Sequence, residues 1–112
     1  MANKNATLNY AYGKTEGITC EVLDATSSDT VVIPIKREQC MGVILTNEGT
    51  SKVTATIKAG NRYASALGDV SIEVNGSSQV LVPLNDTARY MQEDGNIHLT
   101  TTGALTVNAF VI

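Results

Sequence analysis

β-Branched residues dominate this chain: Thr, Val and Ile occupy 33 of its 112 positions. Two heavy atoms on Cβ stiffen χ1 and crowd a helix, whereas the same branching packs well on a pleated, half-buried surface. Glycines punctuate the chain at short intervals, at Gly13, Gly17, Gly49, Gly60, Gly68, Gly76, Gly95 and Gly103. Short β-rich runs between Gly-containing turns predict an all-β protein. The expected architecture is an antiparallel β-sandwich, immunoglobulin-like or jelly-roll-like, with about eight or nine short strands mostly joined by hairpins. An apolar fraction of 43% against a charged fraction of 17% excludes disorder. The length suits one domain over residues 1–112.

Alternation places the strands. Leu8, Tyr10 and Tyr12 share one face of a first segment, opposite Thr7, Asn9 and Ala11. Ile18 to Leu23 form a second candidate strand, followed by a polar loop over 24–29. Val31 to Ile35 form an apolar run whose Pro34 cannot donate to a ladder, which predicts an edge strand or a strand end. Cys40 to Thr46 are apolar on both faces and read as a central, covered strand. Asn47 to Ser51 form a hairpin loop before the alternating run Val53 to Ile57. Residues 59–69 are a long loop carrying Arg62 and Tyr63. Val70 to Val74 and Val80 to Leu84 flank Asn75-Gly76-Ser77-Ser78, where Asn-Gly predicts a hairpin with positive φ. Residues 86–92 allow one helical turn with Asp86 as its N-cap. Ile97 to Thr100 and Leu105 to Val111 complete the set.

Charge and composition narrow the function. A net charge of −3 argues against nucleic acid and anionic membranes, because binding by counterion release needs clustered Lys and Arg. The apolar runs fall short of a membrane span, and Met1 to Asn5 lack the apolar core of a signal peptide. Synthesis in a reducing cytosol is the expectation, and Cys20 and Cys40 then read as buried free thiols with no disulfide. With one histidine, any catalytic triad must use His98, which alternates out of phase with Ile97 and Leu99 and so points to solvent. The aspartates follow no calcium-loop spacing. Tyr10, Tyr12, Tyr63 and Tyr90 offer a poor sugar-stacking platform without Trp and read as core or interface residues. No cofactor or metal is expected. The N-terminal segment with Lys4, Leu8, Tyr10 and Tyr12 is either a docking arm or a first strand. Asn, Thr and Ser at the exposed positions suit protein contacts made by shape and hydrogen bonds.

From residue 18 onward the chain resembles small tailed-bacteriophage head decoration proteins. The resemblance rests on Met41-Gly42-Val43-Ile44-Leu45-Thr46-Asn47, Val53-Thr54-Ala55-Thr56-Ile57, Leu67-Gly68-Asp69-Val70-Ser71-Ile72-Glu73-Val74 and Val80-Leu81-Val82-Pro83-Leu84. Ala88-Arg89-Tyr90 followed by Asp94-Gly95, and a close on Leu105-Thr106-Val107, complete it. It implies an auxiliary capsid protein on the virion exterior, made in the host bacterial cytoplasm and bound to the major capsid protein. Lys4, Leu8, Tyr10, Tyr12, Arg62 and Tyr63 are the capsid-contact residues expected on this reading. Copies would sit as monomers at hexamer centres or as trimers at three-fold sites. No catalytic residues come with the resemblance. The rival classes are a tail- or head-fibre adhesin or other carbohydrate-binding β-sandwich, a tail-tube or head-closure component, and a small hydrolase built on His98.

Overall fold

The period-2 alternation becomes alternating burial in the computed structural model, which describes residues 2–11, 15–35, 40–60, 67–84 and 87–111. Among these residues ten strands form: β1 Ala2–Asn5, β2 Asn9–Tyr10, β3 Leu23–Ala25, β4 Asp29–Ile33, β5 Met41–Asn47, β6 Val53–Ile57, β7 Val70–Val74, β8 Ser78–Pro83, β9 Ile97–Thr101 and β10 Leu105–Val111. One helical turn, α1 at Thr87–Tyr90, falls inside the stretch expected to hold it. Its expected cap, Asp86, lies outside the described residues.

The chain is an all-β sandwich. One sheet runs β1-β4-β9-β6-β7, and the other runs β2-β10-β5-β8 with β3 also on β10. Inward positions interdigitate between the layers: Val31, Ile33, Ile57 and Leu99 from the first sheet, Val43, Leu45, Val107 and Val111 from the second, each at most 1% exposed. Burying a side chain of this size contributes about 1.5–3 kcal/mol. β5 lies between β10 and β8, the central place its two apolar faces suggested. β4 stops at Ile33, one residue before Pro34, and β8 is an edge strand ending on Pro83.

Three expectations change. First, the sheets are mixed: β1 runs parallel to β4 and β2 parallel to β10, while every other strand pairing is antiparallel. Second, Ile18 to Leu23 is not a strand; pairing begins at Leu23 and continues through Asp24 and Ala25. Third, hairpins are rare. β6 and β7 pair directly, but β5 and β6, β7 and β8, and β9 and β10 each lie in different sheets. The loops after β5, β7 and β9 are therefore arches from one layer to the other.

The arches stack at one end of the sandwich. Ser77 donates its N–H to the Gly49 carbonyl at 2.9 Å, and Thr102 donates to Thr54 at 3.0 Å. Asn47, only 2% exposed, ties them: its Nδ2 donates to Ser51 at 2.7 Å and to Val74 at 3.0 Å, and its Oδ1 accepts from Gly49. The positive φ lies on Ser77 (57°), not on Gly76. Gly76 is needed for proximity instead, since a Cβ there would sit 2.5 Å from the Thr50 carbonyl oxygen.

Candidate interaction surface

The N-terminal segment is built into both layers. β1 extends the first sheet, Ala6 and Leu8 drop into the core at 7% and 9% exposure, and β2 then joins the second sheet. β2 and β3 share one edge of β10 end to end: β2 lies beside Phe110 and Val111, β3 beside Leu105 to Val107. Asn9 fills the junction. Glu21 donates its N–H to Asn9 Oδ1 and accepts from Asn9 Nδ2, both at 2.9 Å. The same Nδ2 reaches Asn108 Oδ1 at 2.8 Å and the Ala109 carbonyl at 3.0 Å. The side-chain amide thus stands in for a strand's peptide group where no strand runs.

Of the expected contact residues, Tyr12, Arg62 and Tyr63 lie outside the described residues. Leu8 is a core residue, which removes it from any contact surface in this state. The alternation that put it with Tyr10 fails because the chain changes sheets between β1 and β2. Lys4 is engaged at home: its Nζ pairs with the Asp29 carboxylate at 3.2 Å and donates to the Asp24 carbonyl at 2.9 Å. The Thr26 backbone N–H, then Lys4 and the Thr26 hydroxyl, hold the Asp29 carboxyl below its usual value, against the opposing effect of burial. Among the described members of this group Tyr10 is the most exposed, at 48%.

Cys20 and Cys40 are free, and both are exposed rather than buried. Each sits outside the strands, so neither is drawn into an inward position. His98 lies on the outer face of the first sheet, with Nε2 2.8 Å from Asp94 Oδ2. The His98 contact, and next the Asn96 N–H, lower the Asp94 carboxyl. Tyr90 is buried, with the Arg89 guanidinium 5.7 Å from its ring centroid. No group of His, Cys, Asp and Glu suited to a metal ion gathers among the described residues. No described helix is long and apolar enough to cross a membrane.

What distinguishes the surface is the contrast between the two outer faces. The first sheet shows Thr54, Thr56, Ser71, Glu73, His98 and Thr100. The second shows an apolar patch that the strand reading did not single out. Register sets Ile44 beside Leu81, and Gly42 between Phe110 and Pro83. The Phe110 ring lies over Gly42, with its tip 2.9 Å from where a Cβ would stand. Leu81 is 60% exposed. The sequence signal was present in β5, where Ile44 departs from the inward alternation, but which strands flanked it was not. Neither a family model, nor a curated protein, nor a solved structure matches this chain.

Proposed function

We propose that this chain is a non-enzymatic auxiliary capsid protein of a tailed bacteriophage, bound to the major capsid protein on the virion exterior after synthesis in the host cytoplasm. The resemblance carried by residues 18–112 supports this reading. The structural observation that carries it is the apolar patch of Ile44, Leu81, Pro83 and Phe110, which among the described residues lies on the outer face of the second sheet and has no counterpart on the first. A face whose central strands β5, β8 and β10 carry an apolar patch and no charged side chain, with Asp24 on β3 off to one side beside Thr106, suits burial against protein by shape more than by charge steering. Many equivalent sites on a shell make even a modest contact effective, and binding only the expanded shell stabilises that form by mass action.

Co-sedimentation with bare capsids, immature and expanded, tests the reading. Saturable binding to expanded shells that resists added salt is the expected result. Ile44→Glu is expected to abolish it, and Thr56→Glu, on the opposite outer face, to leave it intact. Absence of binding to either shell overturns the reading and moves attention to tail components and glycans.

A further inference from the structure

We propose that the β8 edge is a self-association site, where two copies of this chain pair antiparallel across a two-fold axis passing between their Leu81 residues. The inference is independent of the capsid reading.

The ladder shows which groups are free. Leu84 donates its N–H to the Met41 carbonyl at 2.9 Å, one step beyond the Gly42–Pro83 pair. Hydrogen-bonded and open pairs alternate along an antiparallel ladder. Val82 and Val80 therefore turn their peptide groups toward β5, while Gln79, Leu81 and Pro83 turn theirs outward. β8 ends its sheet, so no described strand lies on that side.

Edge strands are commonly guarded by charge. β7, the edge of the other sheet, has Glu73 paired with Lys52, and Asp69 beside it paired with Lys58. β8 has no such guard: Val74 to Leu84 contains no Asp, Glu, Lys or Arg. A chain of net charge −3 can thus bring this edge against its own copy without repulsion at the contact.

The strand is also complementary to itself. A two-fold axis normal to the sheet keeps both outer faces on one side, so outward residues must oppose outward residues. Leu81 then opposes the partner's Leu81, and Gln79 opposes the partner's Pro83. Leu81 exchanges N–H and C=O with its counterpart, and the Gln79 N–H meets the partner's Pro83 carbonyl. The N–H that Pro83 lacks falls at the end of this ladder, where its loss costs least. The half-buried Val80 and Val82 oppose the partner's Val82 and Val80 on the inner side, completing their burial. The two apolar patches join into one surface. A second copy is the occupant chosen because its own strand meets each requirement: no charge, alternating apolar residues and matching facing. One strand pair is small beside the ~1,200–2,000 Å² of a stable interface, so the dimer is expected to be reversible and concentration-dependent.

Sedimentation of the full chain over a concentration series, combined with amide hydrogen exchange, tests this. The expected result is a monomer–dimer equilibrium in which the Gln79 and Leu81 amides gain protection as the dimer fills. The Val80 and Val82 amides are protected in both states. Leu81→Lys, a change at an exposed position, is expected to abolish the dimer and leave thermal unfolding of the monomer unchanged, because it sets like charges opposite each other. A chain still monomeric at about 1 mM, where even a 4 kcal/mol association would show, overturns the proposal. So does a dimer that survives Leu81→Lys, or one in which those two amides stay unprotected. Protection of the two amides by added capsids in a strictly monomeric chain assigns the edge to capsid protein instead.

Discussion

The two lateral edges of this sandwich are built from different residues, Ala2-Asn3-Lys4-Asn5 and Asn9-Tyr10 on one side and Val70-Ser71-Ile72-Glu73-Val74 and Ser78-Gln79-Val80-Leu81-Val82-Pro83 on the other, and end up in different states. On one side, residues 2–10 cross from sheet to sheet. Ala6 and Leu8 plug the core, Asn9 bridges the junction of β2 and β3, and Lys4 reaches Asp29. On the other side, β7 and β8 belong to different sheets, joined at one end by the arch over Asn75 to Ser77, and no described strand runs between them. Val70, Ile72, Val80 and Val82 there are only partly buried against the core. A sandwich has two such sides, and a chain has only so many extended segments to spend on them. Here the N-terminal segment seals one side, and the other keeps the outer edges of β7 and β8, with which no further described strand pairs.

The sharpest way to break this comparison is one deletion made on each side. Leu8→Ala removes a side chain 9% exposed, and Leu81→Ala removes one 60% exposed. In dilute monomer, denaturant unfolding is expected to show a loss of about 2–4 kcal/mol for Leu8 and at most about 0.5 kcal/mol for Leu81. Equal losses would mean that the sealed edge is not sealed. Next in size is Asn9→Ala, which leaves the buried Ala109 carbonyl and the Glu21 peptide without their partner. A loss of about 1–3 kcal/mol is expected by the same method.

Ion pairs sharpen the contrast further. Lys4–Asp29 lies on the sealed side with its carboxylate side chain only 6% exposed, and Lys52–Glu73 on the open side is 53% and 65% exposed. The folded-state pKa of Asp29 is depressed. Its contribution is therefore fully present above the unfolded carboxylate value of about 3.9 and is lost as pH falls through the lower folded value. NMR titration of the Asp29 carboxyl is expected to show that value rising in Lys4→Ala. The smallest effect belongs to Lys52→Ala: about 0.5 kcal/mol or less, shrinking with salt, as for exposed pairs generally. An unfolding series with added salt checks it.

The strands themselves were legible because alternation at period 2 is a local property. Val53 to Ile57, Val70 to Val74 and Leu105 to Val111 each carry it unaided. The arches were not legible for an equally physical reason. Asn75-Gly76-Ser77 has the composition of a hairpin turn, and composition describes the bend without saying whether the next strand returns to the same sheet. Ser77 takes the left-handed conformation that Gly76 was expected to take, because Gly76 must lie against Thr50, 26 residues earlier. Of the candidate contact surface, Ile44 was visible as an outward apolar residue. Its grouping with Phe110 and Leu81 required the register of β5 with β10 and β8.

The sequence by itself determined the all-β class, the strand segments after residue 30, and which residues of each long strand face inward. These follow from steric preference at Cβ and from a side-chain period that each strand carries alone. Only the tertiary structure decided which strands are neighbours, that the N-terminal segment closes one side in parallel pairing, and that Asn9 and Asn47 become buried anchors. Those outcomes depend on peptide and amide groups meeting partners far away in the chain. Every residue carries the same backbone donors and acceptors, so nothing in the local sequence marks which of them will find each other.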